Sequence, residues 1–361
     1  AVGVAGPFVG MHQDALIVAG GANFQPPVWE SEKIWHDRIH VLTRTEDGHQ
    51  WQDGAKLHHP IAYGTNVSLP EGLVCMGGND ADEVFDDVFL LRWDSDTGSI
   101  QTEVLPSLPQ PSAHGQAALI GRIIYLAGGQ RDLTLETATD QLWALDLSQR
   151  GKDSDFQWKI LPHIPGGARA FNLTLAQHNG YQDSLYVLSG RTHDLEGVRF
   201  LDDFWEYQPV TSTWQARKAA PKCVMAGSGV PWGQGHLLVL GGADGQLFHQ
   251  GDALKDDHPG FPKEAWAYHT ITDTWTSAGP IPENQVTTSA VLWDDTIVIP
   301  SGEIRPRVRT PTIRRGKVLI QPASFGWLHY LILGGYLAAM VVIGIGFKRR
   351  HRHSEDYFRG G

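Results

Sequence analysis

The 361-residue chain has few cysteines and, before its C-terminal part, few basic residues. Cys75 and Cys223 lie in apolar, strand-like contexts, which indicates small core residues rather than a disulfide or a nucleophile. Residues 305–361 hold 11 of the 29 Lys and Arg but 2 of the 40 Asp and Glu, so the part before them carries a net charge of about −20. So acidic a body excludes nucleic acid as a partner.

No stretch before residue 320 has the period of a long amphipathic helix, which argues for an all-β fold. Instead, an apolar strand runs six times into a Gly-Gly or Ser-Gly doublet. The second glycines lie 57, 51, 61, 52 and 60 residues apart. The doublets are Gly20-Gly21, Gly77-Gly78, Gly128-Gly129, Ser189-Gly190, Gly241-Gly242 and Ser301-Gly302. A period near 50 residues indicates a repeat fold.

Each repeat continues with a third strand opened by acidic residues, and four repeats then carry a tryptophan in a fourth strand: Trp51, Trp158, Trp214 and Trp275. Four strands per repeat are typical of a propeller blade. The pattern resembles the kelch family over roughly residues 1–320. This resemblance implies an all-β, six-bladed kelch β-propeller.

The longest apolar run comes last, because residues 325–347 contain no charged side chain. As a helix, this run is long enough to cross a hydrocarbon core of roughly 30 Å. A basic segment follows at once, so the positive-inside rule puts the C-terminus in the cytoplasm and the propeller in the periplasm, at a bacterial inner membrane. We predict a propeller at 1–320, a linker at 321–324, a transmembrane helix at 325–347 and a basic cytoplasmic tail at 348–361.

This orientation requires export, although no signal peptide is visible at Ala1. Either a signal has been removed or the numbering begins downstream of the true start. Residues 335–361, which include Glu355-Asp356-Tyr357-Phe358, resemble the first transmembrane helix of sodium:solute symporters. The resemblance implies a fused or associated symporter as a partner, and one span by itself does not predict transport.

Blade geometry predicts which residues share a site. In an antiparallel blade, the first strand starts and the second strand ends on one face, so residues at these positions surround one mouth, the default ligand site of a propeller. The candidate substrate-binding residues there are Asn23, Tyr63, His114, Arg169, Arg191 and Arg305. Arginine matches a planar carboxylate through paired N–H donors, so the set predicts an anionic small molecule such as an acidic sugar. Alternatively, each arginine forms a solvated ion pair with acidic loop residues.

The sixth doublet differs from the others because an acidic residue, Glu303, follows it directly. A carboxylate at the inner end of a strand lies near the axis, where burial would raise its pKa and neighbouring arginines would lower it. Glu303 is therefore either a catalytic group or an anchor that holds its loop through backbone N–H groups.

Several stretches are similar to the N-acetylneuraminate epimerase family, the kelch-type mutarotases of sialic acid. They are residues 3–10, 14–24, 37–40 and 62–70, together with Gly302-Glu303, Pro306, Arg309 and Thr310. The last group matches the segment that carries the proton-accepting Glu and an active-site Arg of that family. The resemblance thus implies Glu303 as general base and Arg309 as the group that holds the sugar carboxylate or the developing oxyanion.

The order of these stretches differs from that of the family, whose Glu segment precedes the stretch resembling residues 3–10. The chain thus resembles a cyclically permuted form, which a ring of blades tolerates. Blade 6 has a candidate third strand at 310–320 but no Trp-bearing fourth strand before the apolar run. Our hypothesis is that residues upstream of Ala1 supply that strand.

The implied reaction is anomer exchange of N-acetylneuraminate or a related acidic keto sugar, with no metal or cofactor required. The general acid stays open among Tyr63, His114, Arg169, Arg191 and water. A competing prediction is a non-catalytic extracytoplasmic module that captures a ligand or protein for a membrane transporter. A copper redox site is disfavoured, because no convincing set of Tyr, His and Cys ligands falls at the mouth.

Overall fold

The computed structural model describes residues 2–152, 155–319 and 326–350. It divides the chain into two compact units, residues 1–317 and 318–361. The predicted linker at 321–324 and the tail beyond residue 350 lie outside the described residues. The first unit is all-β, and each of its blades is an antiparallel sheet whose strands follow one another along the chain, with a hairpin inserted in blades 1 and 6.

The first three blades follow the predicted pattern. Blade 1 and its inserted hairpin comprise β1 (Phe8–His12), β2 (Ala15–Ala19), β3 (Ala22–Phe24), β4 (Lys33–Trp35), β5 (Arg38–Thr45) and β6 (Gly48–Lys56), of which β3 and β4 form the hairpin. Blade 2 comprises β7 (Thr65–Leu69), β8 (Gly72–Met76), β9 (Val88–Asp94) and β10 (Ser99–Val104). Blade 3 comprises β11 (Gln116–Ile120), β12 (Ile123–Ala127), β13 (Leu142–Asp146) and β14 (Lys159–Leu161).

Blades 4 and 5 are also four-stranded. Blade 4 comprises β15 (Leu173–His178), β16 (Asp183–Asp194), β17 (Gly197–Gln208) and β18 (Thr213–Arg217). Blade 5 comprises β19 (Ser228–Trp232), β20 (His236–Leu240), β21 (Glu264–His269) and β22 (Thr274–Pro280), with α1 (Gly251–Leu254) in the loop before β21. Four short 3₁₀ segments lie at Leu135–Thr137, Leu147–Gln149, Phe248–Gln250 and Lys255–Asp257.

Blade 6 has three strands among the described residues: β23 (Val291–Trp293), β24 (Thr296–Pro300) and β27 (Ile313–Gly316). A hairpin of β25 (Glu303–Arg305) and β26 (Val308–Arg309) is inserted between β24 and β27. The candidate third strand is confirmed, since β27 pairs with β24. The source of a fourth strand stays a prediction. The six-bladed propeller predicted from the doublets is confirmed.

Apolar side chains pack between neighbouring blades and form the core. Phe8 of blade 1 packs against Phe89 of blade 2 in one fully buried cluster, and further clusters join blades 2 and 3, 3 and 4, 4 and 5, and 1 and 6. Both cysteines are buried and unpaired, as predicted. Burial of such faces is the main favourable term in folding, at about 25 cal/mol per Å².

Tryptophans near the outer edge connect blades 3, 4 and 5 to the blade before each of them. The indole N–H groups of Trp158, Trp214 and Trp275 donate to main-chain carbonyl groups in the preceding inter-blade loop, at 2.8–2.9 Å. Trp214 and Trp275 lie in fourth strands, and Trp158 lies directly before one. The repeated tryptophan is therefore a contact between blades, because its ring covers apolar surface while its N–H group finds a partner.

Six residues, one before the first strand of each blade, form a closed ring of backbone hydrogen bonds of 2.6–2.8 Å. Each N–H group donates to the carbonyl oxygen of the preceding member. The members are Gly6, Tyr63, His114, Phe171, Ala226 and Thr287, and all have φ between 53° and 66°. At Gly6 a Cβ would lie 2.5 Å from the Tyr63 ring, so glycine is required there. The ring turns Tyr63, His114 and Phe171 toward the mouth.

The seam between blades 6 and 1 is closed by main-chain and side-chain hydrogen bonds. The Val4 N–H group donates to Ser301 Oγ at 2.7 Å, and the Gly302 N–H group donates to the Val4 carbonyl oxygen at 2.8 Å. Both residues of the sixth doublet are buried. The doublet therefore joins the last blade to the first and leads directly into β25.

The second unit contains one helix, α2 (Trp327–Arg350). Its segment Trp327–Phe347 has a mean hydropathy of 2.1 and is long and apolar enough to cross a membrane. None of that segment is buried within the structure. An unburied apolar helix of this length fits a bilayer better than the core of an all-β domain.

Candidate functional site

A cavity of about 1040 Å³ opens at the mouth of the propeller. Its lining includes Lys33, Tyr63, His114, Arg191, Glu303 and Arg309. The loops between second and third strands build its walls, since they include the β3–β4 and β25–β26 hairpins, the extended β16–β17 hairpin and the α1 loop. A cavity of this size accommodates a monosaccharide.

The floor of the cavity carries three aromatic side chains that pack side by side. They belong to residues of the closed ring of backbone hydrogen bonds. The His114 ring lies 4.8 Å from Tyr63 and 4.1 Å from Phe171, centroid to centroid. Burial, assisted by the Arg191 and Lys33 cations, holds the pKa of His114 well below its ordinary value, so the imidazole is neutral at pH 7. Burial raises the pKa of Tyr63 to about 12, so its hydroxyl stays protonated. The floor thus offers neutral, polarisable groups.

Glu303 and Arg309 form a nearly buried ion pair at the base of the β25–β26 hairpin. Arg309 Nη2 lies 2.7 Å from Glu303 Oε2, and the two side chains are 6% and 15% exposed, respectively. The backbone N–H group of Arg307 donates to Glu303 Oε1 at 3.1 Å. These residues are brought together because Glu303 and Arg309 are cross-strand partners in the hairpin.

Glu303 is also fixed through its own backbone, because its N–H and C=O groups both pair with Val286 at 2.9 Å. The Arg309 side chain retains two buried nitrogen atoms, Nε and Nη1, without hydrogen-bond partners in the described part of the chain. The pair thus presents a held carboxylate beside a guanidinium with unused donors. This is an arrangement that can accept a proton and stabilise a nearby negative charge.

Phe24, at the tip of the β3–β4 hairpin, is an aromatic platform for several cations. The guanidinium carbons of Arg307 and Arg309 lie 4.3 and 4.7 Å from its ring centroid, and Lys33 Nζ lies 5.9 Å away. Lys33 Nζ also lies 5.1 Å from the Tyr63 ring. Aromatic faces stabilise cations without neutralising them, so this side of the cavity keeps its positive charge.

Arg191 is the second cationic feature of the cavity and stands on the extended part of β16. Its guanidinium lies over the rings of Phe171, at 4.1 Å, and Phe248, at 4.9 Å. Its buried Nε has no partner among the described residues, and no carboxylate of that part of the chain lies within 4.0 Å of it. Burial lowers the pKa of Arg191 to about 10, so the group remains charged at neutral pH.

Three predicted substrate-binding residues lie elsewhere. Arg169 is fully buried outside the cavity lining and pairs through both terminal nitrogens with Asp203 at 2.8 Å. Arg305 pairs with Asp256 at 2.9 Å and is also outside the lining. Asn23 Oδ1 is held by His36 Nε2 at 3.0 Å, within the hairpin region. Arg305 forms the exposed ion pair with an acidic loop residue that the alternative describes, whereas Arg169 is buried and its partner Asp203 stands on β17.

Tyr63, His114, Arg191, Glu303 and Arg309 are therefore the predicted residues that the structure brings together. Lys33 was missed, because it lies in an insertion whose pairing is not fixed by the blade repeat. Burial lowers the pKa of Lys33, the Arg309 cation beside it adds to the effect, and Glu303 opposes it. Its sequence signal is a lysine among the aromatic residues of segment 24–35.

No protein-family model matches the chain. The chain is 26% identical over 245 residues to an N-acetylneuraminate epimerase of Haemophilus influenzae strain PittEE, covering 61% of both proteins. It is 25% identical over 244 residues to that of Salmonella typhimurium strain LT2, covering 61% of this chain and 60% of the relative. The chain therefore matches about three fifths of the length of these curated relatives.

The solved structure of YjhT superposes with a TM-score of 0.64 at 14% sequence identity, covering 87% of this chain and 95% of YjhT. At this identity the superposition speaks for the fold. The predicted resemblance to N-acetylneuraminate epimerases is confirmed at the level of curated relatives. The chain is thus a six-bladed β-propeller similar in sequence to bacterial N-acetylneuraminate epimerases.

Proposed function

We propose that the propeller is a mutarotase that interconverts the anomers of N-acetylneuraminate or a related acidic keto sugar. The observation that carries the proposal is the nearly buried Glu303–Arg309 pair in a cationic cavity. The similarity to N-acetylneuraminate epimerases supports the same reaction class. The cavity chemistry adds a reason of its own, since it holds Lys33 and Arg191 without a carboxylate within 4.0 Å among the described residues.

Glu303 is the general base of the proposed reaction. It removes the proton of the anomeric hydroxyl, the ring C–O bond breaks, and the electron pair goes to the ring oxygen, which takes up a proton. The open-chain ketone turns and recloses on its other face, and Glu303 returns its proton to the new anomeric oxygen. A positioned carboxylate typically contributes 10² to 10⁴-fold to such proton transfers.

The two arginines have different roles in this mechanism. Arg309 is already engaged with Glu303, and its positive charge stabilises the oxygen on which negative charge develops. Arg191 has no carboxylate partner, so it binds the carboxylate of the sugar. In a 2-keto sugar acid the carboxylate is bonded to the anomeric carbon, so an anchor on it holds the reacting centre near the base.

The proton donor to the ring oxygen is taken to be Tyr63 or a water molecule. The raised pKa of Tyr63 keeps its hydroxyl protonated, and the lowered pKa of His114 leaves that imidazole neutral. Arg169 is not a candidate for the proton donor, because it lies outside the cavity lining. No step of this mechanism calls for a metal or a cofactor.

The proposed setting is a bacterial inner membrane, with α2 as a transmembrane anchor, the propeller in the periplasm and the C-terminus in the cytoplasm. The apolar segment Trp327–Phe347 and the basic residues after it support this orientation. A sodium:solute symporter, fused or associated, would then take up the sugar whose anomers the propeller equilibrates. The permuted order remains part of this proposal.

The decisive experiment follows the α to β conversion of freshly released N-acetylneuraminate by proton NMR. We expect wild type to accelerate it over buffer, Glu303→Gln to lose about 10² to 10⁴-fold of that acceleration, and Glu71→Gln, remote from the cavity, to keep it. Thermal melts verify that Glu303→Gln is folded. Equal rates for wild type, Glu303→Gln and buffer refute the proposal. Tight sugar binding without acceleration favours the capture module instead.

A further inference from the structure

Two histidines and an aspartate converge on the mouth face between blades 1 and 2. His58 and His59 follow β6, and Asp87 comes directly before β9. Nε2 of His58 and Nε2 of His59 lie 3.1 and 2.9 Å from the same oxygen, Oδ2 of Asp87. One ligand atom from each residue lies within 4.8 Å of the other two. All three are outside the cavity lining, so the cluster is distinct from the sugar site.

The hydrogen bonding of His59 fixes its tautomer, and therefore which ring nitrogen directs a lone pair at the Asp87 carboxylate. His59 Nδ1 lies 3.1 Å from the Pro60 carbonyl oxygen, and a carbonyl oxygen can only accept, so Nδ1 carries the proton. In the neutral imidazole, Nε2 then points a lone pair at a carboxylate oxygen. Two facing acceptors at 2.9 Å require a cation, which is either a second proton on His59 or a metal ion.

Both imidazoles are held by aromatic neighbours. The His59 ring lies 4.1 Å from the Phe85 ring, the His58 ring lies 5.1 Å from Phe89, and the two imidazoles lie 4.2 Å apart. Rings packed in this way keep their nitrogen atoms aimed at Asp87 at little further entropic cost. A carbonyl partner on Nδ1 of a ligating histidine is the usual outer contact of a metal site.

The repeat supplies an internal comparison. Asp87 and Asp203 occupy the same position in blades 2 and 4, directly before the third-strand residue that pairs with the last residue ahead of the doublet. Asp203 is neutralised by the permanent cation Arg169. Asp87 instead meets His58 and His59, whose imidazole nitrogens are common metal ligands. The blade 2 position therefore offers two nitrogen ligands where blade 4 has a permanent cation.

We propose that His58, His59 and Asp87 bind one divalent first-row metal ion of the zinc type. Zinc bonds to nitrogen and oxygen are about 2.0–2.2 Å long, which puts neighbouring ligand atoms of a tetrahedral site about 3.3–3.6 Å apart. The observed separations of 2.9 and 3.1 Å are somewhat shorter, so the side chains need to move apart by only a few tenths of an ångström to admit the ion. Two imidazoles and one carboxylate suit Zn²⁺ over Mg²⁺ or Ca²⁺. The ion ties the loop after blade 1 to the third strand of blade 2, independently of the proposed mutarotase activity.

The test is calorimetric titration of Zn²⁺ into the full chain, solubilised in detergent and freed of metal by chelator. We expect one equivalent bound with a Kd on the order of 10 µM or below, together with a rise in Tm. His59→Gln and Asp87→Asn should each weaken binding at least tenfold. Cobalt in place of zinc should give visible bands of an ordered N/O site in wild type that are lost in both variants.

Two control variants locate the site. His163→Gln removes a single histidine, whose Nδ1 lies 2.7 Å from Asp140 in blade 3, and it should leave the binding unchanged. A variant with both tail histidines, His351 and His353, changed to Gln should also bind as wild type does. Failure of wild type to bind at 100 µM Zn²⁺, or unchanged binding in Asp87→Asn, overturns the proposal. Loss of binding in the tail variant alone overturns it as well.

Discussion

Replacing Arg191 with methionine should weaken sugar binding while it raises the stability of the free protein. In the free protein the guanidinium is partly buried without a carboxylate partner, and its pKa of about 10 against an ordinary 12.5 corresponds to about 3 kcal/mol against the charged form. Partial exposure reduces that cost, and the contacts with Phe171 and Phe248 recover roughly 1 kcal/mol more. We expect Arg191→Met to raise the free energy of unfolding by about 1 kcal/mol at pH 7.

The sign follows from the lowered pKa. Between the folded value of about 10 and the unfolded 12.5, the unfolded state binds more protons, so the charged guanidinium destabilises the fold most fully below pH 10. The stabilisation of Arg191→Met should therefore be constant from pH 6 to 9 and shrink as the pH rises above 10. Urea unfolding at several pH values, followed by tryptophan fluorescence, measures it.

Binding should change in the other direction. Charge-assisted hydrogen bonds to a carboxylate contribute about 1.5–3 kcal/mol each, so the loss of Arg191 should raise the Kd for N-acetylneuraminate by about 100-fold. Arg305→Met is the matched control, because that arginine is engaged with Asp256 on the rim and should alter Kd less than twofold. An unchanged Kd in Arg191→Met, or an equal loss in Arg305→Met, would refute Arg191 as the carboxylate anchor.

Two further predictions concern stability. Arg169→Met should lower the free energy of unfolding by about 3 kcal/mol, because the Asp203 carboxylate loses both of its guanidinium hydrogen bonds. The Kd for the sugar should stay unchanged. Urea unfolding measures the stability, and calorimetry measures the Kd. A large loss of affinity with intact stability would contradict this role. The lowered pKa of His114 means that the unfolded state takes up an extra proton below pH 6.5, so stability falls as the pH falls. His114→Phe should therefore remove about 1 kcal/mol of the loss between pH 6.5 and 5.5.

The fold could be predicted from the sequence because the repeat contains residues with strict backbone requirements. A Gly-Gly or Ser-Gly doublet recurs in each blade because the backbone there lies very close to the segment that enters the same blade. At Gly78, for example, a Cβ would lie 2.8 Å from the Ala62 carbonyl oxygen. The tryptophans were equally informative, since Trp158, Trp214 and Trp275 each close a contact between blades, although Trp51 is exposed. Glu303 and Arg309 were found because a resemblance and a broken pattern fell on the same segment.

The errors in the predicted site come from side-chain partners that a position in the repeat does not encode. Arg169 and Arg191 occupy comparable mouth positions in the sequence, yet Arg169 meets Asp203 and Arg191 meets aromatic rings. Which of two arginines is neutralised depends on residues 30 to 60 positions away, packed by tertiary structure. Lys33 escaped notice because the register of its inserted hairpin follows from contacts with β26, not from the blade pattern.

The position of Glu303 on the seam has a consequence for how this protein loses activity. The doublet that bonds blade 6 to Val4 is covalently continuous with the proposed base, so a parting of the two end blades would move the carboxylate relative to the cavity. Activity then depends on the integrity of one junction, which hydrogen bonds and an apolar cluster hold together. Opening of that junction would be a local event that abolishes activity while the blades themselves stay folded.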